Sequence, residues 1–128
     1  MFVTASDSRK VIVWNFKTMQ PIFNFSCGSS DLMKTAKFSK DQKYLAAGDD
    51  SGKIWVYRIT APSTFTSVTS GTAVSGIGDF TELDFNYLNT KLMVCGTTGY
   101  KFLAVGAGAW ASWTATTVVA KVVSTCKF

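Results

Sequence analysis

Few residues in this chain could do chemistry. Asp79, Glu82 and Asp84 form the one acidic cluster outside a turn, and in a strand Glu82 and Asp84, two positions apart, share a face as a general acid/base pair would. Such a pair needs a proton-moving partner, and the chain has no histidine, the commonest general base and metal ligand. The cluster therefore reads as an edge or solvated strand start. Val105, Gly106, Ala107 and Gly108 follow an apolar run, as a phosphate-cradling loop would, but a third glycine is missing and residues 111–117 do not start a helix. Cys27, Cys95 and Cys126 are odd in number and widely spaced, unlike a metal-ligand pair or a disulfide framework. Structural burial is the reading for Cys95 and Cys126. Trp110 and Trp113 could stack on a base or a peptide, and packing between sheets explains them without either. No nucleophile can be paired with a base. The expectation is a non-enzymatic chain that binds, with no cofactor and no metal.

The elements that would position a binding surface follow from composition and period. Of 128 residues, 47% are hydrophobic and 16% charged, which fits one globular domain and argues against a disordered chain. The net charge of +5 is too diffuse to imply a nucleic-acid or membrane partner. The cysteine usage and the polar residues 1–10 predict an intracellular protein of the cytoplasm or nucleus. Residues 102–120 carry no charge, yet their threonines, glycines and β-branched residues predict a pair of strands rather than a membrane span. Short apolar runs at Val11–Val13, Lys43–Ala47, Lys91–Cys95 and Val118–Val123 are bounded by Asp, Ser, Gly and Asn, the pattern of antiparallel all-β meanders. Pro21 and Pro62 fall just after apolar runs, where a missing donor does least harm.

Laying the chain against itself reveals a repeat. Residues 35–57 lie over 82–105 once a one-residue gap is allowed near Thr90, matching Phe38 to Phe85, Lys43 to Lys91 and Gly48 to Gly96. An earlier, incomplete copy begins at Phe2, and its Trp14 falls 43 residues before Tyr57. Each copy reads as strand, polar turn, strand ending in small residues, Asp/Ser/Gly turn, and strand ending in an aromatic. Such a sheet is apolar on both faces and must be sandwiched between copies of itself.

The segments Ser6-Asp7 through Val13-Trp14-Asn15 and Gly48-Asp49-Asp50-Ser51-Gly52 through Ile54-Trp55-Val56-Tyr57-Arg58 resemble the WD-repeat β-propeller family. Trp14-Asn15 and Tyr57-Arg58 stand where the family has its Trp-Asp pair. Residues 2–58 match well and residues 79–106 moderately, with Ala104-Val105-Gly106 replacing the signature in the third copy. The family often has a Gly-His pair before a blade's first strand, its histidine joining a buried network with Asp, Ser or Thr, and Trp. Here Gly28-Ser29 stands in that place. Residues 85–97 followed by Trp110 look like the late, degenerate blades of the splicing-associated ubiquitin-ligase scaffolds of the "nineteen" complex.

The resemblance implies a single β-propeller segment over 1–128, with approximate units 1–25 (partial blade), 31–68 (blade), 79–117 (degenerate blade) and 118–128 (a strand completing a further blade). Residues 122–128 lie over 32–38, so the end of the chain would supply a first strand that its beginning lacks. Three blades' worth cannot close a ring of roughly 4–8 blades. The expectation is a segment of a longer protein, or a protomer whose second copy completes a six-bladed ring.

The family's interaction loops share one rim, here Asp7 to Lys10, Asp49 to Lys53, Thr97 to Tyr100, Ser26 to Asp31 and Thr69 to Asp79. Recognition concentrates on such loops. Arg9, Lys10, Asp31, Lys53 and Tyr100 are the candidate contact residues, a mildly basic, aromatic-bearing rim suited to an acidic peptide. The plainer view is that the lysines keep turns solvated. The implied function is a protein-interaction scaffold binding peptides or proteins, with self-association as a further partner class. RNA or other nucleic-acid binding is the minority alternative, and no membrane partner is implied.

Overall fold

The computed structural model describes residues 1–28, 31–61, 63–104, 116–118 and 127–128. Alternating apolar and polar residues, interrupted by Asp, Asn, Ser and Gly turns, give strands and, among the described residues, no helix. The first sheet contains β1 (Phe2–Ala5), β2 (Lys10–Trp14) and β3 (Pro21–Ser26). The second contains β4 (Met33–Phe38), β5 (Tyr44–Asp49), β6 (Lys53–Thr60) and β7 (Thr64–Ala73). The third contains β8 (Phe80–Phe85), β9 (Lys91–Gly96), β10 (Gly99–Ala104) and β11 (Thr116–Val118). Strands follow one another in chain order within each sheet, all antiparallel. The sheets stack through β1 and β2 against β4, and through β4 and β5 against β8.

The middle sheet is apolar on both faces because side chains alternate along its strands. Leu45 and Ala47 of β5, with Trp55 and Ile59 of β6, join Val11, Val13, Cys27 and Met33 in a core shared with the first sheet. Ala46, Ile54 and Val56 point the other way and join Phe80, Leu83, Phe85, Leu92, Val94 and Leu103. The first core is capped by rings, with Phe23 stacked on Phe65 at 4.3 Å and edge-on to Tyr57 at 5.0 Å. Stacking copies to hide both faces is thus the observed solution.

The repeat extends to the register. Phe2 pairs with Trp14 as Leu45 pairs with Tyr57. Phe38 lies opposite Leu45 as Phe85 lies opposite Leu92, and a β-bulge sits between Met33 and Thr35 as another sits between Phe80 and Glu82. The turns agree as well: Gln42 and Asn89 both have positive φ, and each donates its amide to the residue three back, Ser39 or Asn86. These equivalences correct the sequence alignment. The ladders put Tyr44 over Lys91, Gly48 over Cys95 and Asp49 over Gly96, with no gap near Thr90. The missing residue falls in the next turn, where Thr97 and Thr98 do the work of Asp50 through Gly52. Leu103-Ala104 then lies over Tyr57-Arg58, because Leu92 pairs with Leu103 as Leu45 pairs with Tyr57.

Two further expectations are revised. Cys95 is disulfide-bonded while Cys27 is free, so the odd, widely spaced cysteines do include a bridge. Glu82 and Asp84 do share a face, but both meet Lys37 of β4, at 3.1 and 3.7 Å; their charges tie the first strands of two sheets together. No helix among the described residues is long and apolar enough to cross a membrane, and β10 and β11 are paired strands, Tyr100 opposite Val118. Ser29, Pro62, the Val105 to Gly108 segment, Trp110, Trp113, Cys126 and most of the 118–128 strand lie outside the described residues.

Candidate functional site

The turns that end β1, β5 and β9 and the loops that follow β3 and β7 meet along one edge of the stack. Each junction is made by backbone groups, which is why unlike sequences can build it. The Cys27 amide donates to the Arg9 carbonyl at 3.1 Å, as the Val74 amide donates to the Gly52 carbonyl at 2.8 Å. The Thr97 and Thr98 amides donate to the Asp79 and Ile77 carbonyls. Gly52 and Arg9 occupy the same turn position with φ of 78° and 67°. At Gly52 a side chain would press on the Gly78 carbonyl, 2.8 Å from an added Cβ. At Arg9 the left-handed backbone is forced on a residue with a Cβ, at a cost of roughly 1–2 kcal/mol.

Asp49 builds the middle turn. Its Oδ1 accepts from the Ser51 amide and hydroxyl, both at 3.0 Å, and from the Lys53 amide at 2.8 Å. The residue is fully buried, and Oδ2 has no hydrogen-bond partner among the described residues. Asp50 holds the adjoining loop, its Oδ1 accepting from the Leu32 amide at 2.8 Å while its own amide donates to the Leu32 carbonyl. Cys27 is a buried donor: its thiol lies 2.8 Å from the Asp31 carbonyl, and burial, helped by the Asp49 charge, pushes its pKa up. A protonated, enclosed thiol is no nucleophile.

Of the five candidate contact residues, Asp31 and Lys53 come together directly. Lys53 Nζ donates to Asp31 Oδ2 at 2.7 Å, and that hydrogen bond raises the lysine pKa. Arg9 joins them through the Cys27 amide, and its exposed guanidinium has no ion-pair partner among the described residues. Lys10 is exposed at the start of β2, opposite Ser26. Tyr100 does not belong with them. The turn ends at Thr98, and Tyr100 lies within β10, opposite Cys95 and edge-on to Phe102 at 6.0 Å. The rim is therefore less basic than its composition suggests, since Asp31 neutralises Lys53 and Lys34 lies 4.0 Å from Asp7.

Sequence reasoning missed the opposite edge of the stack. Phe16 and Met19 in the β2–β3 turn and Tyr87 and Leu88 in the β8–β9 turn are exposed there. Their signal is the presence of large apolar residues inside turns, where polar ones are the rule.

No family description and no curated protein matches the chain. Solved structures do match, among them the C-terminal WD40 domain of Sif2, with a TM-score of 0.67 at 16% sequence identity. The match covers 82% of this chain and 31% of that one, so this chain spans about a third of that neighbour's length. The fold is that of a partial WD-repeat β-propeller: antiparallel sheets stacked as blades, not closed into a ring. None of these comparisons points to the "nineteen" complex.

Proposed function

We propose that the chain is a non-catalytic protein-interaction scaffold, a WD-repeat-like propeller segment that binds peptide or protein partners through its rim. The observation that carries this reading is the turn cluster of Arg9, Cys27, Asp31 and Lys53. Backbone hydrogen bonds hold it, and it presents an exposed Arg9, without an ion-pair partner among the described residues, from a strained turn. Strain kept at an exposed position is compatible with a recognition role. Arg9 and the neighbouring Lys10 suit an acidic peptide segment.

The test is titration of the full chain with an acidic peptide, in the wild type and in R9E/K10E. Binding should weaken at least about tenfold, ~1.4 kcal/mol, with the melting curve unchanged. Equal affinity in both proteins overturns the rim assignment. A gel shift at two salt concentrations addresses the nucleic-acid alternative, which demands a steep salt dependence. The Lys53–Asp31 pair counts against it by removing one cation from the rim. The likeness of residues 85–97 to splicing-associated scaffolds rests on sequence alone and supplies no partner.

A further inference from the structure

We propose that the notch between the second and third sheets is a binding site for a carboxylate on a short apolar stem, centred on Lys101. Lys101 lies on β10 opposite Val94, in the register position that Trp55 fills on β6 opposite Ala47. A slot that takes a core indole in one sheet thus holds an amine in the next. Lys101 is only 7% exposed. Taking an ammonium out of water is costly unless an opposite charge or a full set of acceptors replaces the solvent.

Neither is present among the described residues. Lys101 Nζ has one partner, the Ser75 hydroxyl at 3.2 Å, and no carboxylate lies within ion-pair distance; the ion pairs found involve Lys34, Lys37 and Lys53 instead. Of its three donors, two are left over among the described residues. They border a cavity of about 130 Å³ whose walls are Ile54, Thr72, Val74, Ser75 and Leu103. Ile54 and Leu103 belong to the core between the two sheets, with Val74 packed against it. The site thus offers one cation and a hydroxyl at a polar end and aliphatic walls beyond it.

That combination selects a monoanion with an aliphatic tail. A carboxylate would accept from Lys101 Nζ and Ser75 Oγ while its stem lies against Ile54 and Leu103, so the buried charge gains its counter-ion. A phosphate, with more charge and more acceptors, would need further donors that these walls do not offer. The ligand is either a free short-chain carboxylic acid or the glutamate side chain of a peptide. The site uses none of Arg9, Lys10, Asp31 or Lys53, so it stands or falls independently of the rim.

Butyrate and its uncharged counterpart butyramide should be titrated into the isotope-labelled full chain while the Lys101 side-chain resonances are followed. Butyrate should give a saturable shift that butyramide does not. A parallel arm uses a peptide with one central glutamate and its glutamine counterpart. A shift from butyrate alone assigns the free acid, one from the glutamate peptide alone assigns a protein partner, and one from both leaves the carboxylate site in place with either source. K101M should weaken the productive ligand at least tenfold. If K101M does not fold, T72W, which fills the cavity from an exposed position on β7, should do the same while keeping the wild-type melt. The proposal is overturned if no ligand moves the Lys101 resonances, if butyramide or the glutamine peptide moves them equally, or if a folded variant binds as tightly as the wild type.

Discussion

Asp49 fastens the β5–β6 turn through a single oxygen that accepts three hydrogen bonds. In D49A those donors lose their acceptor in a part-buried setting, and the expected loss is about 1–3 kcal/mol, read from chemical denaturation. Asp41 acts in the same manner at the opposite edge. Burial alone would raise its pKa, but the Ser39 hydroxyl and the Lys43 amide donate to it and the Lys43 charge lies near, so its pKa ends below the ordinary aspartate value. A carboxyl depressed in the folded state adds stability that is present above its unfolded pKa and is lost as pH falls through the folded one. Stability should therefore drop on the acid side, and D41N should flatten that limb of the pH profile. Arg9 differs from both because its conformation is costly. R9G relieves the left-handed strain, so its denaturation midpoint should be no lower than wild type, within about 0.5 kcal/mol, while peptide affinity falls. A drop in both would make Arg9 a structural residue rather than a contact.

At the level of strands and turns, the close approach of Phe80 to β5 sets the distance between the second and third sheets. A Cβ at Gly48 would collide with the Phe80 ring, and that ring is buried. G48A should cost about 1–3 kcal/mol by overpacking, measured as a shift in the denaturation midpoint. The strands themselves were legible because alternation and turn residues mark them locally. Gap placement was not. Matching Lys43 to Lys91 and Gly48 to Gly96 followed residue identity, whereas the ladders follow turn length, and the turns Ser39–Lys43 and Asn86–Thr90 have equal hydrogen bonding. That one-residue error laid Lys101 over Lys53 of the rim turn, whereas the ladders lay it over the core residue Trp55. The Asp31–Lys53 pair was hidden for another reason: its partners are brought together by the stacking of a loop on a turn, which no local pattern encodes.

For the molecule as a whole, the sandwiching of apolar sheets was readable from the repeat, since no single copy could bury both its faces. What covers the outermost face was not readable. Phe2, Thr4, Ile12 and Trp14 face away from the second sheet, with Phe2 stacked on Trp14 at 6.1 Å and the Trp14 indole donating to Thr4 at 2.9 Å. They hold the register positions that Leu45, Ala47, Trp55 and Tyr57 hold on the middle sheet, where Leu45, Ala47 and Trp55 are buried against another sheet and Tyr57 is half-buried. Light scattering should therefore find a mass of two chains or more, and I12K should shift it toward one; a single-chain mass for the wild type would end the self-association reading.

The stack also has a direction. The side a blade turns to its predecessor, with Trp55 and Tyr57, is chemically unlike the side it turns to its successor, with Ile54 and Val56. Contacts between copies would then be heterologous, front to back, and such contacts terminate only where the accumulated rotation brings the last subunit to the first. If the rotation per chain misses that closure, added subunits extend a polar filament, and the same surface that makes a finite assembly would make an open polymer.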